Sequence, residues 1–176
     1  MNRRTITDGA LLVVALGAAY AMKRLYSTAT AEDLDWLLGP ATRVVARLTG
    51  EPFVREARVG FVAERLPIIV APACAGVNFL IIAFLTLCFG FVGRMRGAVA
   101  KVSWCALCPV LAYAATLVAN TCRIATAVGV HMARIRVPFM SPADAHRALG
   151  VAVYLVALWT LFESTDALTR RWSHAI

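Results

Sequence analysis

The sequence predicts an all-α, polytopic membrane protein with about four transmembrane helices and an extracytoplasmic amphipathic segment. Its 176 residues are 60% apolar and have a mean hydropathy of +0.71, whereas soluble domains are roughly 45–50% apolar. A helix needs ~20 apolar residues to span hydrocarbon. Four runs approach this length: Ile6–Tyr26, Ala73–Val92, Val102–Ala119 and His146–Phe162. We therefore expect one integral-membrane domain over residues 1–176.

The domain divides into four stretches. The first helix covers residues 1–26, an extracytoplasmic segment residues 27–72, the helices with the candidate site residues 73–163, and a cytoplasmic tail residues 164–176. The net charge is +8, but basic residues flank the apolar runs instead of forming a continuous stripe. Membrane lipids are therefore the expected partner, and nucleic acid is not.

Basic residues in short loops predict the orientation. They precede the first run, fill the loop after the second, and follow the fourth: Arg3, Arg4, Arg94, Arg96, Lys101, Arg170 and Arg171. By the positive-inside rule these places face the cytoplasm. We expect a multi-pass protein of the cytoplasmic (inner) membrane with both termini inside.

The first run has a second interpretation. The apolar stretch Ala10–Ala19 and the triplet Ala19–Ala21 resemble a secretory signal with its cleavage site. Lys23 and Arg24 directly after the triplet disfavour export and cleavage. A retained transmembrane helix is therefore favoured.

The segment before the second run contains two helix signals and a strand signal. Thr30 followed by Asp33 is typical of a helix start. Pro40 at a first helical turn and Gly50 after the last turn would bracket a second short helix. Its apolar residues Val44, Val45 and Leu48 would lie on one side and Arg43 and Arg47 on the other, on the outer membrane surface. Residues 53–70 are rich in β-branched and aromatic residues and predict a short hairpin, although Pro67 argues against a long strand.

Cys74 opens the second run and is the first residue with chemistry. Pro72 stops the preceding segment, so we expect a helix to begin near Cys74. A thiol at a helix N-terminus favours the thiolate, and Ala75 and Gly76 leave room for a peptide backbone. The alternative is a small buried side chain with no chemical role.

Arg123 closes the third run, three residues after Asn120 on the same helical face. Ionisable groups at membrane depth are costly and usually functional. The alternative is an arginine that extends to the headgroups, although the apolar residues Ile124–Ala133 that follow make this less convincing. The sequence does not determine where the third span ends, because the run over residues 99–133 is too long for one helix perpendicular to the membrane.

His146 opens the fourth run after a recognisable helix start, with Ser141 as cap, Pro142 at the first position and Asp144 at the third. The helix dipole disfavours imidazolium, so the ring should stay neutral and accept a proton. An ordinary interfacial histidine is the alternative. His131 competes for the role, whereas His174 falls on the cytoplasmic tail.

Alternating spans would bring Cys74, Arg123 and His146 to the same membrane face. A thiol, a guanidinium and an imidazole together can form a cysteine-nucleophile active site. A separate pair, Cys105 and Cys108, has redox-like spacing but should lie near the reducing cytoplasmic face, where helix packing explains it better. Zinc is not expected, since no second ligand pair accompanies it.

Three motifs resemble the exosortase and archaeosortase family, in particular its small exosortase K-like branch: Pro72–Leu80, Asn120–Ile124 and His146–Gly150. The resemblance implies a membrane cysteine transpeptidase or protease with its active site on the extracytoplasmic (periplasmic) side. Its partners would be exported proteins that end in a short motif, a transmembrane helix and a basic tail, as PEP-CTERM proteins do.

By this resemblance Cys74, Arg123 and His146 are the catalytic residues. The residues expected to bind substrate are Asn120, Ala75, Gly76 and Asn78. His146 would activate Cys74 to attack a carbonyl, and Arg123 would stabilise the oxyanion or orient an acidic group of the signal. No metal or organic cofactor is required. Two other classes stay open: a thiol-disulfide oxidoreductase that uses Cys105 and Cys108, and a non-catalytic membrane scaffold.

Overall fold

The computed structural model describes residues 3–135 and 140–174. In this part of the chain the α-helices are α1 (Arg3–Tyr26), α2 (Asp35–Thr49), α3 (Val77–Phe91), α4 (Ala98–Met132) and α5 (Pro142–His174). Four stretches are long and apolar enough to cross a membrane: Ile6–Tyr26, Pro72–Arg94, Ala98–Met132 and Asp144–Arg171. The predicted all-α class and multi-pass membrane character are confirmed. The structure does not describe the side chains of four residues named in the sequence analysis: Arg3, Arg4, Pro142 and His174.

Internal contacts divide the chain into two compact units. Unit one comprises Met1–Ser27, Val77–Thr116 and Leu158–Ile176, and unit two comprises Thr28–Gly76 and Leu117–Ala157. Unit one therefore contains α1, α3, the first part of α4 and the last part of α5. Unit two contains α2 and the remaining parts of α4 and α5.

Polar contacts connect α1 to α3 and α4 within unit one. Lys101 of α4 is 5% exposed and forms an ion pair with Asp8 of α1. Lys23 Nζ, near the other end of α1, donates a hydrogen bond of 2.8 Å to Asn78 Oδ1. A buried lysine is tolerated only with a partner, so α1 supplies a group that α4 needs.

Aromatic packing forms the core of unit one. Phe91 is fully buried, and its ring lies 5.9 Å from the ring of Trp104 and 5.3 Å from that of Phe162. The Trp104 indole N–H donates to the carbonyl of Leu87 at 3.1 Å. The indole therefore has the partner that a buried N–H requires.

The start of α2 differs from the prediction. Thr30 and Asp33 bond reciprocally, with the Thr30 N–H and hydroxyl donating to Asp33 Oδ2 at 2.8 and 2.7 Å. These bonds hold the pKa of Asp33 below its usual value. They close a turn, after which one helix runs from Asp35 through Pro40 to Thr49, so Pro40 is not in the first helical turn. Gly50 ends the helix at φ +71°, as predicted.

The buried face of α2 explains why the helix continues through a proline. Leu37, Leu38 and Val45 are fully buried, and their burial offsets the one backbone hydrogen bond that Pro40 cannot make. The predicted apolar side is only partly right, because Val44 and Leu48 are 43% and 68% exposed.

A small antiparallel sheet follows α2 in unit two. It has the order β1 (Phe53–Glu56), β2 (Gly60–Ala63) and β3 (Ile69–Val70). The predicted hairpin is present, and the strand after Pro67 has only two residues. At Gly60, with φ +122°, a Cβ would lie 2.3 Å from the Val70 carbonyl oxygen, so only glycine fits.

The two longest helices bring the candidate residues into unit two. α4 is a single helix of 35 residues, ~52 Å long at the usual rise per residue, so the third span does not end before Arg123. α5 begins at Pro142, as predicted, and Ser141 Oγ accepts a 3.1 Å hydrogen bond from the Asp144 N–H.

Candidate functional site

Cys74 lies in a 3₁₀ turn, Pro72–Cys74, and not in the first turn of an α-helix. Its N–H donates to the Ala71 carbonyl at 2.7 Å, and the Ala75 N–H donates to the Pro72 carbonyl at 3.0 Å. Gly76 then adopts φ +77°, and α3 begins only at Val77. The predicted helix start near Cys74 is therefore three residues early, because a left-handed glycine interrupts the backbone.

Arg123 supplies the charge next to the thiol. Its Nη2 lies 4.0 Å from the Sγ of Cys74, and both side chains are half-buried. The two residues are 49 positions apart in the sequence. A guanidinium keeps its positive charge at any physiological pH, and a cation beside a thiol favours the thiolate.

Tyr154 fixes the other side of the guanidinium. Arg123 Nη1 donates a 3.1 Å hydrogen bond to Tyr154 Oη, and the guanidinium carbon lies 5.5 Å from the centre of the tyrosine ring. With one nitrogen bonded to the hydroxyl, the other is directed to the sulfur. The sequence interpretation gave Tyr154 no role.

Gly150 makes room for the same side chain. A Cβ at this position would lie 3.0 Å from Arg123 Nε and 3.5 Å from its Cδ. The 3.0 Å contact would force the arginine side chain to shift by a few tenths of an ångström, whereas 3.5 Å is an ordinary van der Waals distance. The glycine therefore allows Arg123 to lie directly against α5.

Asn120, on α4, is the fourth member of a connected group that also contains Cys74, Arg123 and Tyr154. Its Oδ1 accepts a 3.1 Å hydrogen bond from Tyr154 Oη, and the residue is 1% exposed. Its Nδ2 is buried and has no acceptor among the residues that the structure describes. An unsatisfied buried donor costs about 1–3 kcal/mol, and such a group in a folded protein calls for an explanation.

His146 lies on the same face of α5 as Gly150 and Tyr154, because the three are spaced four residues apart. Its ring is exposed, and within the described side chains no hydrogen bond joins it to Cys74. Catalytic hydrogen bonds are often absent or long before substrate binds. His131, the other histidine considered, is exposed in the last turn of α4.

The residues predicted to bind substrate fall in different places. Asn120 belongs to the group just described. Ala75 is fully buried and Gly76 is buried, and both precede the first turn of α3. Asn78 is exposed in unit one, where it accepts the Lys23 hydrogen bond.

An open apolar groove of about 300 Å³ runs between α2 and α4 in unit two. Its lining residues are Pro40, Ala41, Val44, Leu117, Val118, Thr121 and Cys122. Cys122 is exposed, directly precedes Arg123 in the sequence, and provides an internal comparison for the reactivity of Cys74.

The remaining cysteines lie in unit one. Cys88 and Cys108 are buried, Cys105 is half-buried, and all three are free thiols. The Cys88 thiol interacts with those of both Cys105 and Cys108. Within residues 3–135 and 140–174, no group of three or more His, Cys, Asp or Glu side chains is placed to hold a metal ion.

Comparison of the chain with models of protein families, with curated proteins and with solved structures gives no match. The chemistry of the site therefore has to be argued from its own geometry. A thiol 4.0 Å from a permanent cation can attack a carbonyl. The cation, which is linked through Tyr154 to the buried Asn120 amide, can stabilise the charge that develops on the carbonyl oxygen.

Proposed function

We propose that this chain is a membrane-embedded cysteine peptidase or transpeptidase of the exosortase type. It would cleave C-terminal sorting signals of exported proteins. The observation that carries the proposal is the 4.0 Å approach of Arg123 Nη2 to Cys74 Sγ. A buried or half-buried charge is costly at membrane depth, and a thiolate partner would offset that cost.

The substrate class follows from the membrane setting and from the motifs around Cys74, Arg123 and His146. Their resemblance to exosortases implies signals with a short motif, a transmembrane helix and a basic tail. An apolar helix in the substrate would hold its cleavage point at the membrane surface, which is where a nucleophile at the end of a span can reach it.

The proposed active site faces the extracytoplasmic side of the inner membrane. Cys74 and Arg94 lie near opposite ends of the candidate span Pro72–Arg94. The loop that begins at Arg94 also contains Arg96 and has no acidic residue before Lys101. The positive-inside rule assigns that loop to the cytoplasm and Cys74 to the other side.

The reaction would proceed through an acyl-enzyme. His146 takes the thiol proton as Cys74 becomes the nucleophile. The Cys74 thiolate attacks the carbonyl carbon of the scissile peptide, a C–S bond forms, and the carbonyl electrons move to oxygen. Collapse of this intermediate then breaks the C–N bond, and His146 gives that proton to the leaving amine. Water or an acceptor amine then attacks the thioester and releases Cys74.

In this mechanism Arg123 acts first on the thiol. Its position 4.0 Å from the sulfur supports a role in stabilising the thiolate, in addition to the expected contact with the oxyanion or with an acidic group of the signal. The same charge can serve both states in turn, since the negative charge moves from sulfur to oxygen during the attack.

Co-expression with a candidate substrate tests the function. The substrate carries the motif, an apolar helix and a basic tail, and its cleavage is followed by the size of the product. We expect cleavage by the natural enzyme and loss of cleavage with Cys74→Ala, Arg123→Ala or His146→Ala. The matched control is Cys122→Ala, which removes an exposed thiol of the same unit and should leave cleavage intact. Continued cleavage by the Cys74 variant would overturn the proposal.

The presence of three free thiols in unit one, Cys88, Cys105 and Cys108, favours one other function, a membrane thiol-disulfide oxidoreductase. In that case a mixed disulfide with a partner would be trapped at Cys105 or Cys108 when the other cysteine is replaced, and Cys74→Ser would retain activity. A scaffold without catalysis would tolerate Cys74→Ser as well, but would trap no disulfide.

A further inference from the structure

Asn120 and Tyr154 form a hydrogen-bonded pair next to Arg123, the residue that contacts Cys74. The chain of contacts runs from Cys74 Sγ to Arg123 Nη2 at 4.0 Å, from Arg123 Nη1 to Tyr154 Oη at 3.1 Å, and from Tyr154 Oη to Asn120 Oδ1 at 3.1 Å. All four residues belong to unit two. The buried amide of Asn120 is therefore held two hydrogen bonds away from the guanidinium that contacts the sulfur.

The hydroxyl of Tyr154 determines which way the Asn120 amide points. A guanidinium only donates hydrogen bonds, so the hydroxyl must accept from Arg123. The hydroxyl donates its proton to Asn120 Oδ1 at 3.1 Å, so the oxygen of the amide faces the tyrosine. The NH2 group consequently points away from Tyr154.

That NH2 group is the unusual feature. Asn120 is 1% exposed, and its Nδ2 has no acceptor in the described part of the chain. Buried polar groups almost always have partners. A donor held in place by its own oxygen, and lacking an acceptor of its own, is suited to an oxygen that arrives with the substrate.

We propose that the Asn120 NH2 group stabilises the oxyanion that forms when Cys74 attacks a carbonyl, and that Tyr154 is the positioning residue that orients this amide. The inference rests on the proposed function and adds a donor to it. Arg123 then stabilises the thiolate before the attack, and Asn120 stabilises the oxygen during it.

Two small probes separate these steps without knowledge of the substrate. Iodoacetamide alkylates a thiolate: the C–S bond forms, iodide leaves, and no oxyanion is made. p-Nitrophenyl acetate acylates it: the carbonyl electrons move to oxygen, the carbonyl re-forms, and p-nitrophenolate leaves. The full chain in detergent is treated with each, and modification of Cys74 is measured by peptide mass spectrometry. Cys122, which is exposed, reports general thiol accessibility in the same sample.

The decisive quantity is the ratio of the acylation rate to the alkylation rate at Cys74. Asn120→Leu should lower this ratio ~100-fold, since loss of one oxyanion donor has an effect of this size, and Asn120→Ala should do the same. Tyr154→Phe should lower the ratio less, because the amide stays but is no longer oriented. Arg123→Gln should slow both reactions and leave the ratio nearly unchanged.

Thr116→Val is the matched control. Thr116 is fully buried one turn before Asn120 on α4, and its hydroxyl donates to the Ala112 carbonyl of its own helix at 2.7 Å. This variant should leave the ratio as it is. A merely structural role of Asn120 or Tyr154 would slow alkylation and acylation together.

An unchanged ratio in Asn120→Leu and Asn120→Ala would overturn this inference while leaving the proposed function in place. A Cys74 that reacts with neither probe faster than Cys122 does would overturn both. The two failures are therefore distinguishable.

Discussion

In the proposed mechanism, the reactivity of Cys74 depends on one neighbouring side chain more than on its own backbone. The sequence interpretation relied on the helix dipole, but Cys74 lies in a 3₁₀ turn and α3 starts at Val77. The dipole effect falls off within the first turn of a helix. A full positive charge 4.0 Å from the sulfur is a stronger and nearer cause, and Arg123 supplies it.

Gly150→Ala tests the position of that charge. Glycine inside a helix makes the folded protein less stable than alanine does, by about 0.5–1 kcal/mol. The variant should therefore unfold at the same or a higher temperature. Its Cβ would lie 3.0 Å from Arg123 Nε, so the guanidinium must shift. We expect cleavage and Cys74 alkylation to fall several-fold, as measured by substrate cleavage and peptide mass spectrometry.

The control for Gly150→Ala is Gly129→Ala. Gly129 is also helical, in α4, and a Cβ there would meet nothing within 4 Å. This variant should gain similar stability and keep full activity. Equal activity of the two variants would contradict the role given to Gly150.

The sequence shows, as a regular spacing, the face of α5 that contributes to the candidate site. His146, Gly150 and Tyr154 follow each other at intervals of four, which places them on one side of a helix. The spacing does not reveal which neighbouring helix this side contacts, because that depends on how the helices are rotated and packed. For this reason the sequence identified His146 and missed the other two.

Gly76 sets the junction between the Cys74 turn and α3. Its φ of +77° is unfavourable for residues with a side chain, and left-handed backbone costs them about 1–2 kcal/mol. Gly76→Ala should therefore lower the stability by about this amount and also displace the Cys74 turn. We expect a loss of cleavage at temperatures where the variant remains folded.

Gly50→Ala is the matched control for Gly76→Ala. Gly50 has a similar φ of +71° at the end of α2, with nothing within 4 Å of a Cβ. It should lose comparable stability in thermal unfolding and retain cleavage. If Gly50→Ala loses as much cleavage as Gly76→Ala, stability alone explains the effect and the special role of Gly76 is wrong.

Helix boundaries show where local signals are sufficient. Gly50 and the Ser141–Pro142 pair end and begin helices as predicted, because caps act on adjacent backbone groups. Pro40 misled the prediction of α2, since the buried residues Leu37 and Leu38 hold the preceding turn in the helix. Tertiary burial thus outweighed a local signal.

Across the chain, the sequence predicted the spans better than the contacts between them. A span depends on the length and composition of a single run, so four were found by inspection. The contact between Cys74 and Arg123 joins residues 49 positions apart. The sequence placed both near one membrane face, whereas the Tyr154 and Asn120 bonds required the packed structure.

Detection of an acyl-enzyme tests the central claim most directly. The natural protein is mixed with the candidate substrate, quenched in acid and analysed by intact and peptide mass spectrometry. We predict a substrate fragment attached to Cys74 through a thioester that hydroxylamine releases, and no such adduct in Cys74→Ala or at Cys122. Product formation by Cys74→Ala, or an adduct on another residue, would contradict the account.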